Sequence, residues 1–200
     1  AYTIDNSVRF NSADSSELTR TVSTATSNDI GTFSCWHKLG DFGDGTIFHN
    51  HVDGNNRTLI SINTDSIQIY GKISGSANVN LITSSLYRDP SSWYHFVVAV
   101  DVTQVTAADR VKIYVNGTQL TAFSTETYPA QNTDLPLFSG TSMSVGSRYN
   151  GTSWGDYIDG YLAEFYYIDG TQLAADSFGK LDSTTNQWIP KDASGLTFGT

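Results

Sequence analysis

Sulfur, proline, glutamate and cationic side chains are all scarce in this sequence, and each shortage excludes something. Eleven Lys and Arg stand against 20 Asp and Glu, giving a formal net charge of −9. A polyanion would be repelled by such a surface, so nucleic acid is not an expected partner. Among the acids only Glu17, Glu126 and Glu164 are glutamate; the rest are Asp, which favours turns over helix interiors. The single cysteine, Cys35, cannot form an internal disulfide. No basic group adjoins it, so it reads as a small buried apolar side chain rather than a reactive thiol. The longest apolar run, Phe96–Val100, is far below the roughly 20 residues of a membrane-spanning helix, and no membrane insertion is expected. No stretch carries the 3.6-residue period of a long amphipathic helix. Charged residues make up only 16% of the chain and aromatics 12%, which argues against disorder.

What is present is β-rich runs punctuated by Gly, Asn, Asp and Ser. The pattern predicts strands at Ser7–Phe10, Leu18–Val22, Gly31–Lys38, Thr46–Val52, Thr58–Asn63, Ser66–Ile73 and Asn78–Ser84. In the second half it predicts Trp93–Val100, Arg110–Asn116, Thr118–Phe123, Met143–Ser147 and Gly160–Asp169. Asn116-Gly117 is the dipeptide of a type I′ hairpin, whose two central residues both need positive φ. Asp169-Gly170 is expected to end the last long strand in the same way. Alternation places Phe33, Cys35, His37 and Leu39 on one side of their strand, with Ser34, Trp36 and Lys38 opposite. It places Tyr161, Ala163, Phe165 and Tyr167 together, with Leu162, Glu164, Tyr166 and Ile168 opposite, and Glu164 is expected to face a polar pocket or the rim. Thr171–Gly179 is the sole helix candidate. About a dozen strands in 200 residues without a repeat or a linker indicate one all-β sandwich domain. An immunoglobulin-like sandwich of about seven strands is too small, and a jelly roll fits better.

Several runs, taken in order, carry a resemblance. They are Asn6-Ser7-Val8-Arg9-Phe10-Asn11 with Glu17-Leu18-Thr19-Arg20-Thr21, then Thr32-Phe33-Ser34-Cys35-Trp36-His37-Lys38, then Trp93-Tyr94-His95-Phe96-Val97-Val98-Ala99-Val100-Asp101. Ile113-Tyr114-Val115-Asn116-Gly117 and the closing run from Asp159 to Gly170 follow. Together they resemble the laminin-G-like, or concanavalin A-like, jelly-roll family, especially the versions carried on bacteriophage virions. The resemblance covers essentially residues 1–200. It implies a sandwich of two antiparallel sheets and a binding or structural role, as a single domain or as one module of a longer chain. It does not by itself give a ligand.

Four constellations bear on chemistry. Retaining glycoside hydrolysis needs two carboxyls about 5–5.5 Å apart, and no Glu pair falls within one strand, so no catalytic residues are expected. His49, His51 and Asp53 stand at i, i+2 and i+4 and would project together from a strand, yet the sequence supplies no further metal ligand, and an exposed polar face is the plainer reading. Calcium is the cation the resemblance leaves open: Asp41-Phe42-Gly43-Asp44-Gly45 and Asp53-Gly54-Asn55-Asn56 offer hard oxygens, although solvated turns explain them equally well. Finally Tyr149, Trp154, Asp156 and Tyr157 lie in one Gly/Asn/Ser-rich loop. Aromatic faces stack on sugars while Asp accepts from hydroxyls, so these four are the expected ligand-binding residues. Trp36 and Trp93 are expected in the core, and Trp188 in packing or a subunit contact. No phosphate-binding loop, dinucleotide fingerprint or Gly-x-Ser-x-Gly occurs.

The expectation is therefore a non-enzymatic virion-surface or adhesion module, in a tail fibre, head fibre or capsid decoration. It would bind host-surface glycans, neighbouring virion subunits or further copies of itself. A secreted carbohydrate-binding module is the alternative, and a glycoside hydrolase a more remote one.

Overall fold

The computed structural model describes residues 2–21, 25–137 and 142–199. Among them the strands are β1 (Val8–Phe10), β2 (Leu18–Arg20), β3 (Ile30–Leu39), β4 (Gly45–Asp53), β5 (Asn56–Asn63), β6 (Ser66–Ile73), β7 (Ser76–Thr83) and β8 (Tyr94–Asp101). There follow β9 (Val111–Val115), β10 (Thr118–Gln119), β11 (Phe123–Thr127), β12 (Ser142–Val145), β13 (Arg148–Tyr149), β14 (Trp154–Gly155), β15 (Gly160–Asp169), β16 (Gly179–Leu181) and β17 (Trp188–Pro190). Val22, the end of one predicted strand, lies outside the described residues.

The strands build two main antiparallel sheets. One has the order β1-β15-β3-β8-β9-β10 and the other β11-β7-β6-β5-β4-β12-β2. Their inner faces meet in one core that includes Phe33, Phe48, Ile60, Ile69, Phe96 and Ile113. Tight hairpins set the register. Thr64-Asp65 between β5 and β6, Ser74-Gly75 between β6 and β7, and Asn116-Gly117 between β9 and β10 all have positive φ at both central residues, the geometry whose twist matches that of the flanking strands. The expected sandwich is what forms.

Local expectations fare unevenly. Phe33 and Cys35 do face the core, and burial pushes the Cys35 thiol pKa up. Asp169-Gly170 is not a mirror-image turn, because only Gly170 has positive φ. Thr171–Gly179 gives the one short turn expected of it, a 3-10 turn at Ala175–Ser177. β10 stops at Gln119, and β11 pairs instead with the far edge of the other sheet.

The alternation read along β15 breaks in its middle. Glu164 sits at φ +48° in a bulge that shifts the register against β3 between Ala163 and Tyr166. Leu162 points into the main core and so do Phe165 and Tyr167, whereas Tyr166 and Ile168 face the opposite side. One extra residue exchanges the two faces. Glu164 itself accepts hydrogen bonds from the hydroxyls of Tyr2 and Tyr166, the former at 3.0 Å.

The far side of the six-stranded sheet is also covered. The C-terminal segment lays Phe178, Ala193 and Trp188 over Val97, Ile168 and Tyr166, forming a second apolar layer. Trp36 belongs to this side, stacked on His95 at 4.8 Å. Trp93 is 36% exposed and precedes β8, so its expected place in the core is wrong. Alternation cannot detect this, because Trp93 lies just outside the paired strand. Among the described residues no helix is long and apolar enough to cross a membrane.

Candidate functional site

The outer face of the seven-stranded sheet is polar because of strict alternation along β5 and β6. Ile60, Ile62, Ile67 and Ile69 turn inward, which leaves Arg57, Leu59, Ser61 and Asn63 on β5, and Gln68, Tyr70 and Lys72 on β6, for the other side. An amide ladder ties this face together. Asn63 Nδ2 donates to Gln68 Oε1 at 2.9 Å, and Gln68 Nε2 donates to Asn80 Oδ1 at 2.8 Å. Over the face opens a groove of about 370 Å³ lined by Arg57, Ser61, Asn63, Gln68, Tyr70 and Arg148, with Asp44 and Asp156 at its border.

One wall is the β13–β14 hairpin. Its tip turns because Asn150 Oδ1 accepts from the amides of Thr152 and Ser153 at 2.9 and 3.0 Å. Gly151 supplies a φ of +104° that side chains rarely adopt. Pairing then places Tyr149 opposite Trp154, ring centroids 5.2 Å apart, and Arg148 opposite Gly155. The hairpin is anchored to β4 at two points. Tyr149 N donates to His49 Nδ1 at 3.2 Å, and the Tyr149 ring meets His51 edge-on at 4.9 Å. Asp156 then crosses β4, its carbonyl accepting from Thr46 N at 2.8 Å, while its carboxylate holds Arg148 at 2.6 Å. Gly45 allows this crossing, since a Cβ there would lie 2.7 Å from the Ile158 side chain.

Of the four residues expected from the loop, only Asp156 lines the groove; Tyr149 and Trp154 pack on each other in the hairpin beside it. Tyr157 does not join them. It lines a separate cleft of about 30 Å³ with Phe42, Ile158 and Asp159 at the end of the sandwich, because the crossing over β4 carries the chain away from the hairpin. Arg57, Tyr70, Gln68 and Arg148 were missed by a reading centred on the loop. The signal that finds them is the outward parity of β5 and β6.

His49 and His51 do project together, with ring centroids 5.7 Å apart. Burial first, then the charges of His51, Arg57 and Arg148, push the His49 pKa down to about 3, so the imidazole stays neutral and accepts from Tyr149. Burial also lowers His51. Among the described residues no three His, Cys, Asp or Glu gather as a metal ligand set. The candidate calcium oxygens serve turns instead. Asp41 Oδ1 accepts from Phe42 N, Asp44 Oδ1 from Thr64 N, and Asp53 from the amides of Asn55 and Asn56. These residues do not fit a calcium cradle.

Comparison with known proteins agrees with this architecture. A family model of the laminin G type, described as the concanavalin A-like lectin/glucanases superfamily, matches residues 10–176. The chain belongs to that superfamily. No curated protein sequence matches it significantly. Among solved structures, the mouse laminin α1 chain domains LG4-5 share the fold with a TM-score of 0.58 at 11% identity, over 86% of this chain and 44% of that one. The heptameric SAP-like pentraxin from Limulus polyphemus gives a TM-score of 0.51 at 14% identity, over 79% of this chain and 77% of that one. The CBM40 of Ruminococcus gnavus IT-sialidase, bound to α2,3-sialyllactose, gives 0.51 at 13% identity, over 74% and 79%. At these identities the likeness is one of fold. The superfamily name covers lectins and glucanases alike, so this chain's own groove has to distinguish them.

Proposed function

We propose that this member of the concanavalin A-like superfamily is a carbohydrate-binding module that takes a glycan in the groove between the β13–β14 hairpin and the outer face of β5 and β6. The observation carrying this reading is a groove that sets the Tyr70 ring among the amides and hydroxyls of Ser61, Asn63 and Gln68, between Arg57 and Arg148. Sugars present apolar ring faces and hydroxyl edges, and such a site answers both. Tyr157 would contact ligand only from the separate cleft, and Tyr149 and Trp154 only from the hairpin beside the groove, so of the loop residues it is Asp156 that borders the proposed site. The sialyllactose-bound CBM40 supports a glycan ligand for this fold.

The reading is binding without turnover. The groove's two carboxylates, Asp44 and Asp156, are engaged by Thr64 N and Arg148, which suits holding a loop better than transferring protons. We further infer that the module works on a bacteriophage virion surface, as a tail fibre, head fibre or capsid decoration; the ordered strand motifs that resemble virion members support this. Immunogold labelling of intact particles tests the location, and sedimentation tests assembly with further copies, such as the heptamer of the similar pentraxin. Titration calorimetry against a glycan panel tests the function. A millimolar or tighter ligand is expected, and Tyr70→Ala should weaken it about tenfold, the 1.4 kcal/mol scale of one aromatic contact. A panel without any ligand would exclude the proposal.

A further inference from the structure

The rows of residues running across the outer face place basic side chains side by side. In the paired register His51 stands opposite Arg57, and Arg57 stands opposite Lys72. Directly opposed like charges, as Arg57 and Lys72 are, destabilise a sheet, and this chain has few cations to place. The neighbouring carboxylates do not relieve Arg57. Asp53 is occupied by Asn55 and Asn56, Asp44 by Thr64, and Asp156 by Arg148. Among the described residues the Arg57 side chain forms no ion pair and no hydrogen bond, and its Nε is buried without a partner. A half-buried guanidinium facing a groove with its donors unspent is a costly arrangement for folding alone. It is a suitable one for a planar anion, which the fork of an arginine grips with two parallel hydrogen bonds.

We propose that Arg57 is the anion-binding centre of the groove and that the ligand is an acidic sugar, its carboxylate held by Arg57 and its hydroxyls by Gln68, Ser61 and Tyr70. This specificity rests on the glycan-binding reading given above. Arg148 plays a different part: Asp156 already neutralises it, so it fixes the hairpin wall beside the carboxylate. The amide ladder through Asn63 and Asn80 leaves Gln68 with one fixed orientation, which makes it a geometric selector for the ring hydroxyls next to the acid group.

The test is calorimetry of the 200-residue chain with α2,3-sialyllactose, a glucuronate-terminated disaccharide, 6′-sulfolactose and lactose. At least one carboxylated sugar should bind tenfold or more tighter than lactose, and that preference should shrink as salt is raised. Arg57→Gln should abolish the preference, and Arg57→Lys should restore only part of it, because an ammonium keeps the charge and loses the fork. Thermal melting supplies the folding control: Arg57→Gln should leave the midpoint unchanged or raise it, since no internal partner is lost. Equal affinity for lactose and the acidic sugars would overturn the anion site while leaving glycan binding intact. Preference for the sulfated sugar alone would overturn the carboxylate assignment. Binding to none of the four, with neutral glycans of a wider panel also silent, would remove the glycan-binding reading and this inference together. A variant Arg57→Gln that folds and keeps the full preference would overturn the role of Arg57.

Discussion

Trp188 donates its indole N–H to Nδ1 of His95 across 3.0 Å, with the two rings stacked at 6.0 Å. An indole can only donate, so Nδ1 must accept and the ring proton lies on Nε2, which faces Ser34 Oγ at 2.9 Å. This bond ties the C-terminal segment to the outer face of the six-stranded sheet. Trp188→Phe removes the donor and strands a buried nitrogen. The expected loss is about 1–3 kcal/mol, read as a lower urea midpoint at pH 7.5. An unchanged midpoint would mean that stacking alone holds the segment.

Acid should weaken the fold through its histidines. Burial lowers His37 and His95 to about 4, and His49 is lowered to about 3. The unfolded chain takes up these protons near 6.5, so stability is full above that pH. It falls as the pH drops towards 4 and 3, because the unfolded state then binds more protons than the folded one. Each group contributes on the order of 3 kcal/mol across its window. Urea midpoints at pH 7.5, 5.5 and 4.5 should decline steadily, and His95→Gln should flatten part of the slope. A midpoint independent of pH over this range would contradict the buried neutral imidazoles.

The bulge at Glu164 should tolerate both replacement and removal. Glu164→Gly relieves the left-handed backbone by about 1 kcal/mol and loses two tyrosine hydrogen bonds of about 1 kcal/mol each, a modest net loss of about 1 kcal/mol. Deleting the residue removes the extra position and leaves Leu162, Phe165 and Tyr167 in unbroken alternation on the core side, with the pairs Ala163–Trp36 and Tyr166–Ser34 kept. Both variants are therefore expected to keep their near-ultraviolet circular dichroism, and its loss on deletion would show that the sheet needs the bulge to close.

Asp156 separates stability from site geometry. The Arg148–Asp156 pair is substantially exposed, with side chains 32% and 49% accessible, so Asp156→Asn should change stability by less than about 1 kcal/mol. Its loosened wall should nevertheless weaken glycan binding severalfold in calorimetry. Equal affinity with and without the carboxylate would place the wall outside the binding site.

The family was legible in the run of strand motifs, and the sandwich in the short alternating segments and positive-φ turn dipeptides, because hairpin register is a local property of a few residues. Cys35 and Phe33 could be assigned to the core for the same reason. The site was legible only in part. Tyr149, Trp154 and Asp156 are near one another in sequence and stay so in space, while Tyr157 is drawn off by the crossing over β4 at Gly45. What the amino-acid order determined by itself was which side chains alternate within each strand. Only the tertiary structure decided which of those faces would meet: a single bulged residue exchanged the sides of β15, and pairing of β4, β5 and β6 set His51, Arg57 and Lys72 in one row. Side chains separated along the chain share an environment only through strand register, and register is fixed by the packing of the two sheets rather than by any one segment.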